Sequence, residues 1–238
     1  MKLQNNDSPL AVVVPAYNEE KTVKAVIETV LKNPLVGEVI VVNDCSKDNT
    51  QKIVEVFAEN EPKIHLYNHE KNQGKGAALR TGFKKATLPY VIVQDADMEY
   101  DPMEYEKVVR PLIEDQCDVC YGSRYLQNNP RRVLKFWHTM GNRFLTTMSN
   151  MVTDLHVTDM ETCYKAFKRE VIQGIKIEEN RFGFEPEVTA KIARKNLRVY
   201  EVSISYYPRT VDEGKHIGWK DGVRAIWCIF KYGFLRKH

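Results

Sequence analysis

The feature that most constrains the fold is an alternation, in the first half of the chain, between short β-branched runs and longer segments with helical spacing. Near-continuous apolar runs are typical of strands buried on both faces, and the segments between them predict covering helices. The predicted strands are 10–14, with Pro15 as its stop, 38–42, 63–67, 90–93 and a run near Val119. This pattern predicts an α/β, Rossmann-like fold with a mostly parallel central sheet and helices on both faces. Ligands of such sheets bind beyond the carboxyl ends of the strands, so functional residues are expected there.

The second half of the chain has a less regular sequence pattern, and we interpret it as part of the same domain. We expect a single domain over 1–212 and a basic amphipathic helical tail over 213–238. The predicted elements between these limits are a helix at 102–115, a helix at 137–151, a strand at 163–167, a strand at 199–206 and a helix at 219–235.

The composition of the 238 residues limits the class of protein. Apolar residues make up 43% and charged residues 28%, which excludes a wholly disordered chain. The formal net charge of +3 is too balanced for a dedicated nucleic-acid binder, so no nucleic-acid partner is expected. Five scattered cysteines indicate reduced thiols and a cytoplasmic location. The polar start and the lack of a long uncharged apolar stretch predict neither a signal peptide nor a membrane span.

An acidic motif directly follows the fourth predicted strand. Asp95 and Asp97 stand two residues apart in QDADME, after the run YVIV. The two carboxylates repel each other in water, whereas a divalent cation makes their approach favourable. A solvated acidic turn is the alternative, because such pairs are common by chance. The position after a buried strand favours the metal site.

A second motif, PAYNEE, follows the first predicted strand. Pro15, Tyr17 and Glu19 stand where a helix is expected to begin, and the free N–H groups of a helix N-terminus attract anions. Tyr17 offers a flat face to a nucleobase. Capping by Asn18, with Glu19 complementing the helix dipole, explains the same residues without a ligand.

Two more motifs follow the second and third strands. Asp44 ends the run VVND and is placed to accept hydrogen bonds from a nucleobase or ribose. Gly74 and Lys75, in NQGKGAA, suit a backbone that approaches a nucleotide, although the spacing is neither that of a P-loop nor that of a dinucleotide fingerprint. A helix start with a tight turn explains the glycines equally well.

Taken in order, the segments VVVPAYNEE, VVNDCSKDNT, NQGKGAALRTG and VIVQDADMEYDP resemble glycosyltransferase family 2 and its GT-A fold. The segments GSRY, TCYKAF and FEPE, and Arg209 near Lys215, are similar to the subgroup that makes polyprenyl- or dolichyl-phosphate sugars, of the dolichyl-phosphate mannose or glucose synthase type. The chain departs from that subgroup in having Asn43-Asp44 where Asp-Asp is common. It also lacks the carboxy-terminal membrane spans of many bacterial relatives.

The resemblance implies an inverting hexosyltransferase that uses a UDP- or GDP-linked sugar and Mg²⁺ or Mn²⁺. It implies a nucleotide-binding half at about 8–125 and an acceptor half at about 126–212. The implied metal ligands are Asp95, Asp97 and Glu99. The implied nucleotide-binding residues are Pro15, Tyr17, Glu19, Asp44, Gly74, Lys75 and Asp95. Asp97 and Arg124 are the leading catalytic candidates.

The acceptor remains open at this point between a lipid phosphate and a hydroxyl. A polyprenyl phosphate is already anionic near neutral pH and needs a positive cradle. The candidates for that cradle are Arg124, Arg143, Arg209 and Lys215. A sugar hydroxyl in a polysaccharide or glycoconjugate needs a general base instead, for which Asp159 and Glu161 are the candidates. A nucleotide-sugar-binding module without turnover is the non-enzyme alternative.

The tail bears on the acceptor as well. One helical face is predicted to carry Trp219, Val223, Ile226, Trp227, Phe230 and Phe234. From Lys215 onward, six Lys and Arg residues stand against one Asp. A basic amphipathic helix of this kind lies on an anionic bilayer, which predicts peripheral contact with the cytoplasmic face of a membrane. A helix packed on its own domain or on a partner subunit has the same pattern, and the oligomeric state is not predicted.

Overall fold

The computed structural model describes residues 8–126, 133, 135–208 and 219–235. The strands are β1 (Leu10–Ala16), β2 (Val36–Asn43), β3 (Ile64–Asn68), β4 (Tyr90–Val93), β5 (Val119–Ser123), β6 (Lys165–Lys168) and β7 (Val199–Ser203). The α-helices are α1 (Val23–Lys32), α2 (Thr50–Asn60), α3 (Lys75–Lys85), α4 (Tyr105–Ile113), α5 (Phe136–Thr153), α6 (Arg169–Gln173), α7 (Phe184–Arg194) and α8 (Trp219–Phe230). A 3₁₀ turn (Pro102–Glu104) precedes α4, and a π-helical turn (Lys231–Leu235) follows α8.

The strands form one sheet in the order β3-β2-β1-β4-β6-β5-β7. The pairs β1–β2, β2–β3, β1–β4 and β5–β7 are parallel, and β6 runs antiparallel to both β4 and β5. The predicted mostly parallel α/β sheet is confirmed. Because β1, β2, β4 and β5 all point the same way, their carboxyl ends meet at one edge.

The apolar runs of the sequence form the centre of the core. Every residue from Leu10 to Val14 is fully buried, and so are Val39 to Val42. Helix α3 lies against β1 at Gly82, where a Cβ atom would overlap the side chain of Val13. This close approach fixes α3 on the sheet, and its first residue, Lys75, therefore lies at the edge where the strands end.

Strand β1 does not end at Pro15, as the sequence predicted, but continues to Ala16. Val13 O accepts from Gln94 N on the β4 side, so the missing N–H of Pro15 falls on that same side. Pairing between β1 and β4 has already ended at Val13 and Val93. Pro15 therefore interrupts no ladder hydrogen bond, as in an edge strand.

The predicted tail helix is present as α8, but a different face packs. Ala225, Cys228, Ile229 and Tyr232 are buried against the domain, and α8 contacts α5 and α7. Val223, Trp227, Phe230 and Phe234, from the predicted apolar face, are exposed. Residues 213–218 and 236–238 of the predicted tail lie outside the described residues, and the domain boundaries stay a prediction. None of the described helices has the length and apolar character needed to cross a membrane.

Candidate active site

A cleft of about 1270 Å³ opens at the edge where β1, β2, β4 and β5 end. Its lining brings together residues from all four predicted strand-end motifs and from the segments before β6 and α7. The predicted site residues on its walls are Pro15, Tyr17, Glu19, Asp44, Lys75, Asp95, Asp97, Glu99, Arg124 and Glu161. This convergence is what the strand-end rule predicts for a ligand site.

Asp44 holds the glycine-rich loop in place. Its carboxylate accepts hydrogen bonds from the backbone N–H groups of Gln73 (2.9 Å) and Gly74 (2.6 Å). It also contacts His69 Nδ1 at 2.7 Å, and His69 Nε2 contacts Thr81 Oγ1 at 2.9 Å. Gly74 has a φ of +98°, a backbone conformation that favours glycine. The predicted base-binding carboxylate is thus engaged in ordering the loop, and its nucleotide contact stays a prediction.

Lys75 forms an ionic bridge between two carboxylates of the cleft. Its Nζ lies 2.9 Å from Asp95 Oδ1 and 3.4 Å from Glu185 Oε1. Burial favours the neutral amine, but the charges of Asp95 and Glu185 outweigh burial and hold the pKa of Lys75 well above its usual range. Lys75 is therefore a fixed cation beside the acidic motif.

The acidic motif lies on the cleft wall in a tight turn. Asp97 Oδ1 accepts from the backbone N–H of Glu99 at 3.1 Å, and Met98 between them has a φ of +60°. Glu99 Oε2 accepts from the Tyr206 hydroxyl at 2.7 Å. Within the described part of the chain, no group of three or more His, Cys, Asp or Glu side chains is arranged to hold a metal ion. Asp95, Asp97 and Glu99 therefore do not form a preassembled three-carboxylate cluster.

This arrangement fits a cation that shares its ligands with a phosphate. Mg²⁺ is typically bound by one or two protein carboxylates together with substrate phosphate oxygens, rather than in an all-protein cage. Asp95 and Asp97 are carboxylates of that kind on a cleft wall. They are the residues that would hold Mg²⁺ or Mn²⁺.

Arg124 is a buried cation that also lines the cleft. Its Nε donates to Asp159 Oδ2 at 2.7 Å and its Nη2 to Asp159 Oδ1 at 2.8 Å, while its backbone N–H donates to Oδ2 at 3.0 Å. The guanidinium also lies over the rings of Tyr206 and Tyr125, at 5.1 Å and 5.7 Å. Asp159 is fully buried. Its three hydrogen bonds make it a positioning group for Arg124 rather than a base open to an acceptor.

The other predicted acceptor-phosphate residues are less well placed in what the structure describes. Arg143 is exposed on α5, with its guanidinium 6.0 Å from the ring of Tyr125, and it does not line the cleft. Arg209 and Lys215 lie outside the described residues. Their contacts with an acceptor stay a prediction.

Glu161, the second predicted base, lies beside Glu185 in the depth of the cleft. Burial and, next, the charge of Glu185 raise the pKa of Glu161 to about 8. Its Oε1 and Glu185 Oε2 are buried and have no hydrogen-bond partner among the described residues. The raised pKa favours the protonated form of this carboxyl group, and its role as a base stays a prediction.

The helix-cap alternative for PAYNEE does not hold. Helix α1 begins at Val23, and its N-cap position is Thr22. Asn18 instead has a φ of +55°, and its Oδ1 accepts from Lys47 N at 2.8 Å. Tyr17 is 42% exposed on the cleft wall, with its ring accessible to a ligand.

Sequence reasoning missed two cleft residues, Glu185 and Tyr206, and also His69, which contacts Asp44. Glu185 belongs to the FEPE segment. That segment, which the resemblance had already marked, was the available signal for Glu185. Tyr206 and His69 contact their partners across 107 and 25 residues of sequence, and no local pattern marks them.

The fold and the order of the motifs around the cleft define a glycosyltransferase of the GT-A type. The chain belongs to glycosyl transferase family 2, whose family model matches residues 11–175. The predicted family membership is confirmed, and the protein is an enzyme of the glycosyltransferase class.

Several relatives extend the comparison. The chain is 31% identical to the UDP-N-acetylglucosamine–dolichyl-phosphate N-acetylglucosaminyltransferase of Methanococcus voltae, over 83% of this chain and 85% of the relative. It is 28% identical to a dolichyl-phosphate beta-glucosyltransferase of Trichomonas vaginalis, over 82% of this chain and 64% of the relative. An uncharacterized protein of Methanocaldococcus jannaschii is 29% identical over 94% of this chain and 98% of its own length.

Among solved structures, the chain is similar to glucosyl-3-phosphoglycerate synthase from Mycobacterium tuberculosis in complex with Mn²⁺, UDP-glucose and phosphoglyceric acid. The TM-score is 0.72 at 19% sequence identity, covering 94% of this chain and 79% of the synthase. This similarity confirms the predicted GT-A fold.

Proposed function

We propose that the protein is a metal-dependent, inverting glycosyltransferase that moves a hexose from a UDP- or GDP-linked sugar to a polyprenyl phosphate. The observation that carries the acceptor class is Arg124, a buried cation on the cleft wall held by Asp159. A phosphate acceptor is already anionic near neutral pH, so it needs a cation rather than a base. Asp159 does not suit the role of base for a hydroxyl acceptor, because both of its carboxylate oxygens accept hydrogen bonds from Arg124.

The donor side of the cleft supports a nucleotide sugar. Tyr17 offers an exposed ring for stacking on a base, and the ordered backbone of the glycine-rich loop suits close approach by a nucleotide. Lys75 orients Asp95. A divalent cation on Asp95 and Asp97 would neutralise the negative charge that grows on the leaving nucleoside diphosphate.

The names of the relatives support the lipid acceptor. Two relatives that match more than four fifths of this chain are named as transferring N-acetylglucosamine or glucose to dolichyl phosphate. The solved synthase was crystallised with Mn²⁺ and UDP-glucose, which supports the metal and the type of donor. The sequence similarity and the cation at Arg124 therefore agree on an anionic acceptor.

Peripheral contact with the cytoplasmic face of a membrane is part of the proposal. Helix α5 exposes Trp137, Met140, Phe144 and Met151 at helical spacing, and Trp137 is 82% exposed. Residues 135–153 carry Lys135 and Arg143 and no Asp or Glu. Helix α8 contacts α5 and exposes its own apolar row, described above. Aromatic and apolar rows of this kind, with basic flanks, are typical of helices that lie in a bilayer interface.

The test is sugar transfer from labelled UDP- and GDP-sugars, with Mg²⁺ or Mn²⁺, into an organic-extractable polyprenyl-phosphate product. The wild-type protein is expected to form a labelled lipid only when the metal is present. Arg124→Lys is expected to lose about a hundredfold in activity, because lysine cannot make the bidentate contacts of arginine. Arg110→Lys, on the exposed face of α4, is the matched control and is expected to keep full activity.

Metal-dependent release of a nucleoside diphosphate with no lipid product would contradict the lipid acceptor. The acceptor would then be a hydroxyl in a polysaccharide or glycoconjugate. Membership of a transferase family favours either enzyme over a nucleotide-sugar-binding module without turnover. Binding of nucleotide sugar without any release of the diphosphate would instead favour the binding module.

A further inference from the structure

Two carboxylate oxygens at the bottom of the cleft lack any hydrogen-bond partner among the residues that the structure describes. They are Glu161 Oε1, in the segment before β6, and Glu185 Oε2, in the first turn of α7. Both residues line the cleft, and Glu185 is only 4% exposed. A buried polar atom without a partner costs about 1–3 kcal/mol, so native structures rarely keep one that neither ordered water nor a ligand satisfies.

Glu187, two residues further along α7, differs from Glu185 in that its carboxylate is fully hydrogen-bonded. Its carboxylate accepts from the backbone N–H groups of Glu178 (2.7 Å) and Glu179 (2.8 Å) and pairs with Lys191. Glu187 therefore has the saturated bonding of a structural acid. Glu185 has one salt bridge, to Lys75, and its second oxygen is left open toward the cleft.

The position of the pair restricts its ligand to the part of a nucleotide sugar next to the diphosphate. Lys75 contacts both Glu185 and Asp95, so one lysine side chain separates Glu185 from the acidic motif. A phosphate group would be repelled by the Glu185 carboxylate. The hexose follows the diphosphate directly and carries several neutral O–H donors, which suit open carboxylate oxygens.

A second metal ion fits the pair less well than a sugar does. Lys75 already supplies a positive charge to Glu185 at 3.4 Å. Lys165 is fully buried nearby. Burial lowers its pKa, and the charges of Glu185 and Glu161 oppose that effect. No metal-holding group of three His, Cys, Asp or Glu side chains occurs within the described ranges.

We propose that Glu161 and Glu185 bind hydroxyl groups of the hexose that is transferred, and that this pair selects the donor sugar. The proposal rests on the proposed function, because it needs a nucleotide-sugar donor. The raised pKa of Glu161 supports it, because a protonated carboxyl group donates one hydrogen bond and accepts another. The pair then offers both a hydrogen-bond donor and hydrogen-bond acceptors to neighbouring hydroxyl groups. A site built in this way rejects a sugar that lacks the matching hydroxyl.

The test separates the sugar from the rest of the donor by comparing two ligands. Calorimetry with the nucleoside diphosphate and with the nucleotide sugar identified in the labelled panel, both with Mn²⁺, gives the extra affinity that the hexose contributes. Glu161→Ala and Glu185→Ala are expected to bind the nucleoside diphosphate within about twofold of wild type. Both are expected to lose about tenfold or more in affinity for the nucleotide sugar.

Two further variants distinguish hydroxyl binding from a general effect on the fold. Glu161→Gln keeps a donor and an acceptor at the same place, so it is expected to retain the nucleotide-sugar affinity that Glu161→Ala loses. Glu59→Ala, on the exposed side of α2, is the control for removal of a glutamate and is expected to change neither affinity. Thermal unfolding of each variant checks that the protein is folded.

Three results would overturn the proposal. The first is an unchanged ratio of the two affinities in both alanine variants. The second is an equal loss for both ligands, which would assign the pair to the diphosphate or to the fold. The third is loss of Mn²⁺ binding by Glu185→Ala without nucleotide, which would make the pair a metal site. Failure of the donor part of the proposed function looks different, because wild type would then bind neither ligand, and this inference would fall with it.

Discussion

The two walls of the cleft are built in different ways. The first-half wall, formed by cleft-lining residues between 15 and 97, is a series of loops that each follow a strand, and its key side chains bond to one another. Asp44 bonds to the glycine-rich loop, and Lys75 to Asp95. The second-half wall, formed by cleft-lining residues between 124 and 206, holds the two buried carboxylate oxygens without partners. The side chains of the first-half wall are therefore held by one another, whereas the second-half wall leaves hydrogen bonds for the substrates to make.

The largest loss of transfer activity is expected from Asp97→Asn in the first-half wall. Loss of one carboxylate from a site that offers at most two removes the cation, and we expect activity to fall about a thousandfold. Steady-state transfer assays over a range of Mn²⁺ concentrations measure it. Asp101→Asn, four residues on, is the control, because its side chain only caps the 3₁₀ turn through Met103 N. Full activity of Asp97→Asn with unchanged metal dependence would refute the assignment.

The next prediction compares how much stability is lost when one acidic residue is removed from each wall. Asp44→Ala leaves the N–H groups of Gln73 and Gly74 and the ring of His69 without their acceptor, so we expect it to lower the free energy of unfolding by about 3 kcal/mol. Glu161→Ala removes a carboxyl group whose buried oxygen has no partner among the described residues, so we expect no loss in the free energy of unfolding and a gain of up to about 1–3 kcal/mol. Denaturant unfolding of both variants measures the difference, and equal losses would remove the contrast between the walls.

A smaller effect is expected where α8 is attached to the second half of the chain. Glu179 accepts hydrogen bonds from Arg224, Lys231 and Tyr232. Burial acts against these bonds, which nevertheless lower the pKa of Glu179 to about 2. Because this pKa lies below the ordinary value of 4.5, the stabilisation is fully present above about pH 4.5 and is lost as the pH falls toward 2.

We therefore expect Glu179→Gln to lower the free energy of unfolding by about 1–2 kcal/mol at pH 7. The difference from wild type should shrink steadily between pH 5 and pH 2.5. Urea titrations of both proteins across that range test it, and a difference that does not depend on pH would show that the charge of Glu179 contributes nothing.

The smallest effect on the folded protein is expected at the exposed row of α5. Phe144→Ser changes a side chain that is 56% exposed, so the free energy of unfolding should change by less than about 0.5 kcal/mol. Binding to anionic vesicles should nevertheless weaken in co-sedimentation. Val56→Ser, equally exposed on α2, is the matched control and should bind as wild type does. Identical vesicle binding by the two variants would contradict a role for α5 at a membrane.

The same difference between the walls explains what the sequence could predict. The first-half motifs each follow a buried run of β-branched residues, so the local pattern alone placed Asp95, Asp97 and Lys75 at one edge of the sheet. The predicted strand at Tyr90–Val93 is confirmed to the residue. What the pattern could not show is bonding between motifs: Asp44 lies 29 residues from Gln73, and its role in ordering the loop appears only in three dimensions.

The second half was harder to predict because its contacts are long-range and its elements are irregular. Helix α7 was not predicted, although Pro186 and the two glutamates of its first turn are compatible with a helix start. The predicted helix at 102–115 divides into a 3₁₀ turn and α4, and β6 begins at Lys165 rather than at Cys163. Within the described part of the predicted apolar face of α8, Val223, Trp227 and Phe230 are exposed, while Ala225, Cys228 and Ile229 are buried.

The loop before α7 links the tail to the nucleotide side of the cleft. The Glu179 carboxylate holds α8, while the carbonyl groups of Glu179 and Asn180 lie so close to Gly76 and Gly74 that a Cβ atom on either glycine would overlap them. Asn180 O also accepts from Ala77 N at 3.1 Å. If donor binding and docking of α8 at a membrane differ in how they hold this loop, each changes the affinity of the other by the same factor. Vesicles would then change the affinity for the donor by the same factor by which the donor changes attachment to vesicles.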